Sequence, residues 1–425
     1  MRVLVIGSGG RESALAWALA RSPSVTSVFA APGNPGIARL AEVLEVDAGS
    51  PATAVETART VNADLVVVGP EAPLVAGVGD ALRDGGFKVF GPNADAAHIE
   101  GSKAYSRELM DKAGVPSARW RSFDEVDTAV SFMDEIGPPY VVKADGLAAG
   151  KGVLVTTERD EAVEAVRDRI ERRVFGDAGI NVVIEEFLDG EEASLIALTD
   201  GKSAIACEVA QDYKRAFDDD AGPNTGGMGS YSPVPSCPPE LADRILTEII
   251  EPMVRATAEA GAPFVGALYA GLALTSRGPR VVEFNARFGD PETQALLPRL
   301  RSDFGEVVLA AATGELAGSR LDWSPQACVS VVLASGGYPS TYETGTEIDG
   351  LDDAESSQDV VVFHAGTAQK GDRVVTAGGR VLAVSALGDD FVAARERAYE
   401  ATNKITFEGK HQRFDIGLRA AERFP

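Results

Sequence analysis

The stretch MRVLVIGSGGRESALAW, residues 1–17, decides the fold of the chain's first hundred residues. Residues 3–6 form a continuous apolar run, the mark of a strand buried on both faces. The glycines at 7, 9 and 10 turn the chain, and residues 12–20 read as a helix with Leu15 and Leu19 four apart. Working outward, residues 25–30, 65–68 and 88–90 are the next strand candidates, and the last two run into Gly69-Pro70 and Gly91-Pro92. The pattern predicts a small doubly wound parallel sheet with its site outside the carboxyl ends of the strands. A dinucleotide fingerprint is not met: the third glycine position of G-x-G-x-x-G falls on Glu12, and the second strand ends at Ala30 and Ala31 with no acidic residue. The Gly9-Gly10 turn can still cradle a single phosphate through backbone N–H groups, with Arg11 and Glu12 addressing neighbouring sugar or amine groups. The plainer alternative is a tight turn and nothing more.

Downstream, residues 102–113 read as a helix stopped by Gly114 and Pro116, and residues 123–189 as a compact α+β unit. That unit holds strands at 140–145, 153–157 and 181–188 and a helix at 161–172. Strands 193–199 and 203–209 meet at Asp200-Gly201, a hairpin signal. Residues 210–235 are rich in Asp, Gly, Pro and Asn and read as a long irregular loop. A helix is expected near 240–260 and strands at 267–274 and 280–285. From about 326 a small α+β tail follows, with strands at 330–333, 360–364 and 381–386 and a helix at 391–404.

The 425 residues carry a formal net charge of -24 and a pI near 4.6. A surface this acidic repels nucleic-acid phosphates and anionic headgroups, so neither is an expected partner. Any anionic substrate must then be met by a local cluster of Lys and Arg. Cys207, Cys237 and Cys328, and His98, His364 and His411, lie too far apart for a zinc or disulfide framework, which fits reduced thiols in a cytoplasm. No apolar stretch reaches the ~18 residues of a membrane span. A cytoplasmic monomer is the expectation.

Four segments carry chemistry. In VVKADGLAAGKGV (141–153), Lys143 and Asp145 share one face of a strand, and Lys151 sits at the tip of a glycine-rich loop. Two lysines around such a loop suit a nucleoside triphosphate, although Gly152 stands where a Walker A loop needs Ser or Thr. In VVIEEFLDGEEAS (182–194), Glu185, Phe187 and Leu188 can present strand backbone and an apolar wall to a purine, with Glu191 toward the ribose; a solvated strand end is the alternative. In VVEFNARFGDPET (281–293), Glu283 and Asn285 point to one side of a strand and offer oxygen donors to a hard cation such as Mg²⁺. Arg287, Asp290 and Glu292 follow at once, as a substrate site or as a structural ion-pair network. In QDYKRAFDDDAGPNTGGMG (211–229), Asp212 beside Lys214 and Arg215 suits a small zwitterion such as an amino acid, if it is more than a surface turn.

These segments, together with GGRE (9–12), GPEAPL (69–74), GSK (101–103), LYAGL (268–272), SGGYP (335–339), FHAGT (363–367), GGRVL (378–382) and DIGLRA (415–420), resemble the glycinamide ribonucleotide synthetases of the ATP-grasp superfamily. The resemblance runs through the whole chain in order. It implies an α/β and α+β multidomain protein. Residues 1–100 would be an N-terminal substrate-binding domain, 101–325 an ATP-grasp domain with a mobile lid at about 123–189, and 326–425 a C-terminal domain. It implies ligation of glycine to 5-phosphoribosylamine with ATP, through glycyl phosphate and with Mg²⁺ or Mn²⁺, as a step of purine synthesis. By that resemblance Lys103, Lys143, Lys151, Glu185, Phe187, Leu188 and Glu191 form the ATP site, and Glu283 and Asn285 are the metal ligands. Gly9, Gly10, Arg11, Glu12 and Glu71 wall the phosphoribosylamine, and Asp212, Lys214, Arg287 and Asp290 stand where both substrates meet. Lys143, Lys151, Arg287 and Asp212 are the expected catalytic groups. One departure is Ser13, where many members carry His. The nearest alternative is an ATP-grasp ligase or carboxylase acting on another carboxylate and amine.

Overall fold

The computed structural model describes residues 1–146, 152–176 and 181–424. Its N-terminal sheet has five parallel strands in the order Glu42–Val43, Ser27–Pro32, Arg2–Gly7, Leu65–Val68, Lys88–Phe90. Alternate side chains explain the continuous apolar runs. Leu4, Ile6, Val66 and Val68 enter one core, and Val3, Val5, Leu65 and Val67 enter another on the opposite face. The order reverses between strands Arg2–Gly7 and Leu65–Val68, so a crevice opens beyond their carboxyl ends. The first helix spans Gly10–Ala20, two residues earlier than expected. Glu12 is the cause: its carboxylate reaches back to the Gly9 N–H (2.7 Å) and satisfies a donor at the helix start.

Residues 120–186 build an antiparallel sheet in the order Trp120–Phe123, Val182–Glu186, Tyr140–Ala144, Val153–Thr156. Helices Val126–Ile136 and Arg159–Ile170 cover it, and Phe132, Met133, Val142, Val166 and Ile184 form a core of its own. The strand expected at 181–188 stops at Glu186, which leaves Phe187 and Leu188 in the connection to the next sheet.

That next sheet, in the centre of the chain, pairs Ala204–Ala206, Glu191–Asp200, Val265–Thr275 and Gly278–Asn285, all antiparallel. The helical region near 240–260 is three pieces: Pro239–Ile245, a π-helical turn at Leu246–Ile250, and Glu251–Glu259. Pro252 has no N–H to donate back to the preceding turn, which fits the irregularity there.

The C-terminal sheet corrects the reading of 210–235 as an irregular loop. Gln211–Asp212 and Gly229–Ser232 are strands of it, in the order Gln211–Asp212, Gly229–Ser232, Ala327–Ala334, Arg380–Gly388, Val360–His364. The strand over 229–232 is polar yet fully buried. Its hydroxyls are satisfied, Ser230 donating to the Pro291 carbonyl (2.7 Å) and Ser232 to that of Val209 (2.8 Å). Helix Phe391–Lys404, capped by Asp390, packs on this sheet. Among the described residues no helix is long and apolar enough to cross a membrane.

Candidate active site

The Gly9-Gly10 turn lies at the carboxyl end of strand Arg2–Gly7, beside Gly69-Pro70-Glu71 at the end of strand Leu65–Val68. Glu12 is 2 % exposed and lies under the turn: one oxygen holds the Gly9 N–H and the other takes Arg11 Nε at 2.5 Å. A Cβ on Gly69 would fall 2.2 Å from the Glu12 carboxylate, and one on Gly7 2.6 Å from its side chain, so both glycines make room for it. Glu12 thus serves the turn and orients Arg11 rather than facing the crevice. Ser13 is buried and exchanges hydrogen bonds with Asn34, whose amide also donates to the Ser8 carbonyl (2.8 Å) and the His364 carbonyl (2.9 Å). Ser13 therefore belongs to the contact between the N-terminal and C-terminal units.

From Arg11 a ribbon of charge runs across the crevice. Glu71 Oε2 lies 3.9 Å from Arg11 and 3.4 Å from Arg287 Nε, and Arg287 Nη2 lies 3.0 Å from Glu100 Oε1. Glu100 Oε2 accepts the Ala286 N–H at 2.7 Å. Burial pushes the Glu100 carboxyl up, with Arg287 opposing. Burial likewise works against the Arg287 guanidinium, but Glu100 and Glu71 outweigh it and hold its pKa above the ordinary value. Asp290 sits next to Gly9 and Gly10, held by Gln294 (2.7 Å) and Arg380 (3.3 Å). Arg380 also donates to the carbonyls of Gly226 and Asp290, tying the 225–228 loop to this corner.

A narrow cleft between the 120–186 unit and the central sheet is lined by Lys103, Arg107, Lys143, Glu185, Glu283 and Asn285, among others. Lys143 Nζ lies 2.7 Å from Glu185 Oε2 and donates to the Val282 carbonyl (3.1 Å). Arg107 grips the same carboxylate with two 2.7 Å bonds and donates to the carbonyls of Val281 (3.0 Å) and Val282 (2.8 Å). Burial raises the Glu185 carboxyl, but Arg107 and Lys143 overcome it and hold its pKa at about 2. For Lys143 burial dominates and pulls the ammonium below its usual value. Lys103 opens helix Lys103–Ala113, whose cap Ser102 donates to Asp145 (3.0 Å), so Asp145 anchors a helix start.

The Glu283 side chain makes no hydrogen bond or ion pair among the described residues. Burial raises its carboxyl, yet the charges of Lys103, Lys214, Lys143 and Arg287 keep its pKa low. Matching donors to acceptors assigns the Asn285 amide nitrogen toward Glu100 Oε1 (3.2 Å) and the Phe284 carbonyl (3.3 Å), and its oxygen to the opposite side. An anionic and an amide oxygen two apart on strand Gly278–Asn285 are hard donors on one face, which fits Mg²⁺ or Mn²⁺. No group of three or more His, Cys, Asp or Glu among the described residues forms a closed cage.

The third cluster surrounds Asp212, whose side chain is 8 % exposed and lies 3.9 Å from Lys214; Lys214 also pairs with Glu192. Burial pushes the Asp212 carboxyl up to about 7, with Lys214 opposing and Glu292 and Glu192 adding. Glu292, 3 % exposed, accepts from Tyr269 Oη (2.9 Å) and Ser194 Oγ (3.2 Å). Glu191 accepts from Gln211 (3.2 Å), and Phe187 is exposed. Lys151 lies outside the described residues. Sequence reasoning missed Arg107, Glu100, Asn34, Tyr269, Gln294 and Arg380. Arg107 had a signal, since it stands four residues after Lys103 and so on the same helix face.

A doubly wound N-terminal domain, two antiparallel sheets facing each other across a lysine-lined cleft, and a C-terminal α+β domain define an ATP-grasp protein. The chain belongs to the phosphoribosylglycinamide synthetase family: its residues 1–100 match the N domain, 101–293 the ATP-grasp (A) domain and 328–419 the C domain. It is 52 % identical over 427 residues to the phosphoribosylamine–glycine ligase of Streptomyces coelicolor, covering 99 % of this chain and 100 % of that one. The crystal structure of phosphoribosylamine–glycine ligase from Thermotoga maritima superposes with a TM-score of 0.86 at 34 % identity, covering 98 % and 100 % of the two chains. The fold alone is shared with the biotin carboxylase domain of Hydrogenobacter thermophilus 2-oxoglutarate carboxylase, solved with MgADP (TM-score 0.72, 17 % identity, 97 % and 91 % covered). ATP-grasp proteins in general use ATP with a divalent cation.

Proposed function

We propose that the chain ligates glycine to 5-phosphoribosylamine, converting ATP to ADP and phosphate. The observation that supports this best is the continuous ribbon Arg11–Glu71–Arg287–Glu100, which joins the Gly9-Gly10 turn to the Glu283/Asn285 pair. Two substrates bound at its ends would meet over Arg287. The Gly9-Gly10 turn would receive the sugar phosphate on the Gly10 N–H, the Gly9 N–H staying on the Glu12 carboxylate, with Arg11 and Glu71 alongside. Lys103, Lys143 and Lys151 would face the ATP phosphates, and Glu185, Phe187, Leu188 and Glu191 the nucleoside. Glu283 and Asn285 would hold Mg²⁺ or Mn²⁺, which when bound neutralises phosphate charge. Asp212 and Lys214 would bind the glycine zwitterion, carboxylate to ammonium and ammonium to carboxylate.

A glycine carboxylate oxygen attacks the γ-phosphorus, the bond to the β-phosphate oxygen breaks, and ADP leaves. That transfer depends on positioning and charge stabilisation. The neutral sugar amine then attacks the acyl carbon of glycyl phosphate. Phosphate departs as HPO₄²⁻, carrying the proton the amine loses. Water competes for the same acyl carbon, so the unit at about 123–189 would act as a lid that closes over it. In this reading residues 1–100, 101–325 and 326–425 are the three domains, although strands Gln211–Asp212 and Gly229–Ser232 lend the middle one to the C-terminal sheet. The setting is a cytoplasmic monomer that engages neither nucleic acid nor membrane.

The test is ADP release with glycine and phosphoribosylamine together, each omitted in turn, and with other amino acids in place of glycine. Turnover that survives either omission refutes the reading. Lys143→Ala is expected to lower kcat by roughly 10²–10³, the cost of one lost charge stabiliser. Unchanged steady-state turnover in that variant removes Lys143 from the reaction.

A further inference from the structure

An asparagine that ligates a cation must present oxygen, not nitrogen, and its own chemistry does not decide which end faces the ion. At Asn285 the decision lies with a neighbour. Glu100, 8 % exposed, sits at the end of helix Ala94–Gly101 against the far side of the Asn285 amide. Its two oxygens meet three donors: the Ala286 N–H at 2.7 Å, Arg287 Nη2 at 3.0 Å and the Asn285 amide nitrogen at 3.2 Å. A carboxylate has acceptor sites for all three.

We propose that Glu100 is a positioning residue that fixes the Asn285 amide with its oxygen toward the cation held by Glu283 and Asn285. The proposal rests on the reading of those two residues as metal ligands. The same carboxylate holds Arg287, so the metal ligand and the arginine between the two substrate sides are set by one group. Partners of this kind behind a metal ligand are worth about 10- to 100-fold in affinity.

Glu100→Gln makes the idea specific. The backbone N–H of Ala286 cannot turn, so it keeps the introduced amide oxygen and leaves the new NH₂ facing Asn285 and Arg287 Nη2, which has no acceptor to offer and swings aside. Asn285 must then rotate, giving its oxygen to that NH₂ and its nitrogen to the metal side. Adding Asn285→Asp to Glu100→Gln removes the dependence, because a carboxylate carries an acceptor at both ends. Asn285→Asp alone places a second carboxylate against Glu100 and binds metal poorly.

The experiment is Mn²⁺ binding by the full chain with ADP present, followed by electron paramagnetic resonance of the free ion. Thermal melting without metal is recorded alongside. The expected result is about 10-fold or greater weakening in Glu100→Gln and recovery toward wild type in Glu100→Gln/Asn285→Asp. Wild-type Mn²⁺ affinity in Glu100→Gln overturns the proposal. So does a double variant that binds no better than Asn285→Asp, a comparison that decides even if Glu100→Gln fails to fold. Glu283→Gln separates the two levels: unchanged Mn²⁺ binding there sinks the ligand assignment itself, whereas its loss alongside normal binding in Glu100→Gln sinks only the role of Glu100.

Discussion

Replacing Arg107 by methionine should loosen the contact between the 120–186 unit and the central sheet without unfolding the rest. Arg107 is 2 % exposed and gives two hydrogen bonds to Glu185 and one each to the carbonyls of Val281 and Val282. A carboxyl held at about 2 against its ordinary 4.5 corresponds to about 3 kcal/mol in favour of the ionised form, of which Arg107 supplies the larger attractive share and Lys143 the rest. The Val281 carbonyl loses its side-chain donor as well, while that of Val282 keeps Lys143. Removing one partner of a buried pair costs about 3–5 kcal/mol, and this site falls in that range.

The sign of the pH dependence follows from the direction of the shift. With its folded pKa depressed, Glu185 contributes stability that is complete above about pH 4.5 and lost as pH falls through about 2. In Arg107→Met burial is opposed by Lys143 alone, so the carboxyl titrates higher and the acid limb moves toward neutral pH. A multidomain chain has no single unfolding free energy, so the assay is native-state hydrogen exchange. The amides to follow are those of strands Tyr140–Ala144, Val182–Glu186 and Gly278–Asn285. Arg107→Met/Glu185→Gln leaves Lys143 as a buried ammonium with no counter-ion, so it should lose more protection than Arg107→Met alone. Protection in Arg107→Met within about 1 kcal/mol of wild type refutes the reasoning, as does a double variant better protected than Arg107→Met.

Gly69→Ala drives a methyl into the Glu12 carboxylate and breaks its bond to the Gly9 N–H; the helix start should lose about 0.5–2 kcal/mol. Scanning calorimetry checks the stability, and a raised KM for phosphoribosylamine checks the turn. His364 is held at about 4 by burial, with Arg39 adding, so its contribution is complete above about pH 6.5 and lost as pH falls through 4. His364→Gln should flatten that part of the melting-temperature profile. Asp212, pushed up to about 7, favours its protonated form, a contribution complete below 3.8 and lost as pH rises through 7. Asp212→Asn should therefore melt above wild type at pH 8 but not at pH 4, while glycine-dependent ADP release falls at both.

The parallel sheet was legible because strands buried on both faces need apolar residues at every position, as in residues 3–6 and 65–68. Glu283 and Asn285 were legible for the complementary reason: one polar side of a strand stands out when Phe284 occupies the other. The strand at 229–232 was hidden because its buried serines satisfy themselves on carbonyls far away in sequence, which no periodicity records, and its two-residue partner at 211–212 went with it. Arg107 was hidden too, since an arginine in a polar helix reads as surface until Glu185 is seen beside it. Glu12 stood out correctly as a departure from a dinucleotide turn, but that it lies inward depends on Gly69, far downstream at the end of another strand. Phe187 and Leu188 were read as strand because apolar pattern continues past the point where pairing ends.

The cleft holds its cations by pairing them in advance. In a chain of net charge -24, the lysines and arginines a triphosphate needs would repel one another if gathered alone. Instead Lys143 and Arg107 share Glu185, Arg287 bridges Glu71 and Glu100, and Lys214 pairs with Glu192. Among the described residues Glu283 and Lys103 are the exceptions, charged side chains of the cleft wall with no ion-pair partner. Groups in fixed pairs hold the walls in register and change little when a ligand arrives, whereas unpaired groups gain most from one. On that argument neutralising Glu283 should cost metal and nucleotide binding with little loss of stability. Neutralising Glu185 or Glu100 should cost both.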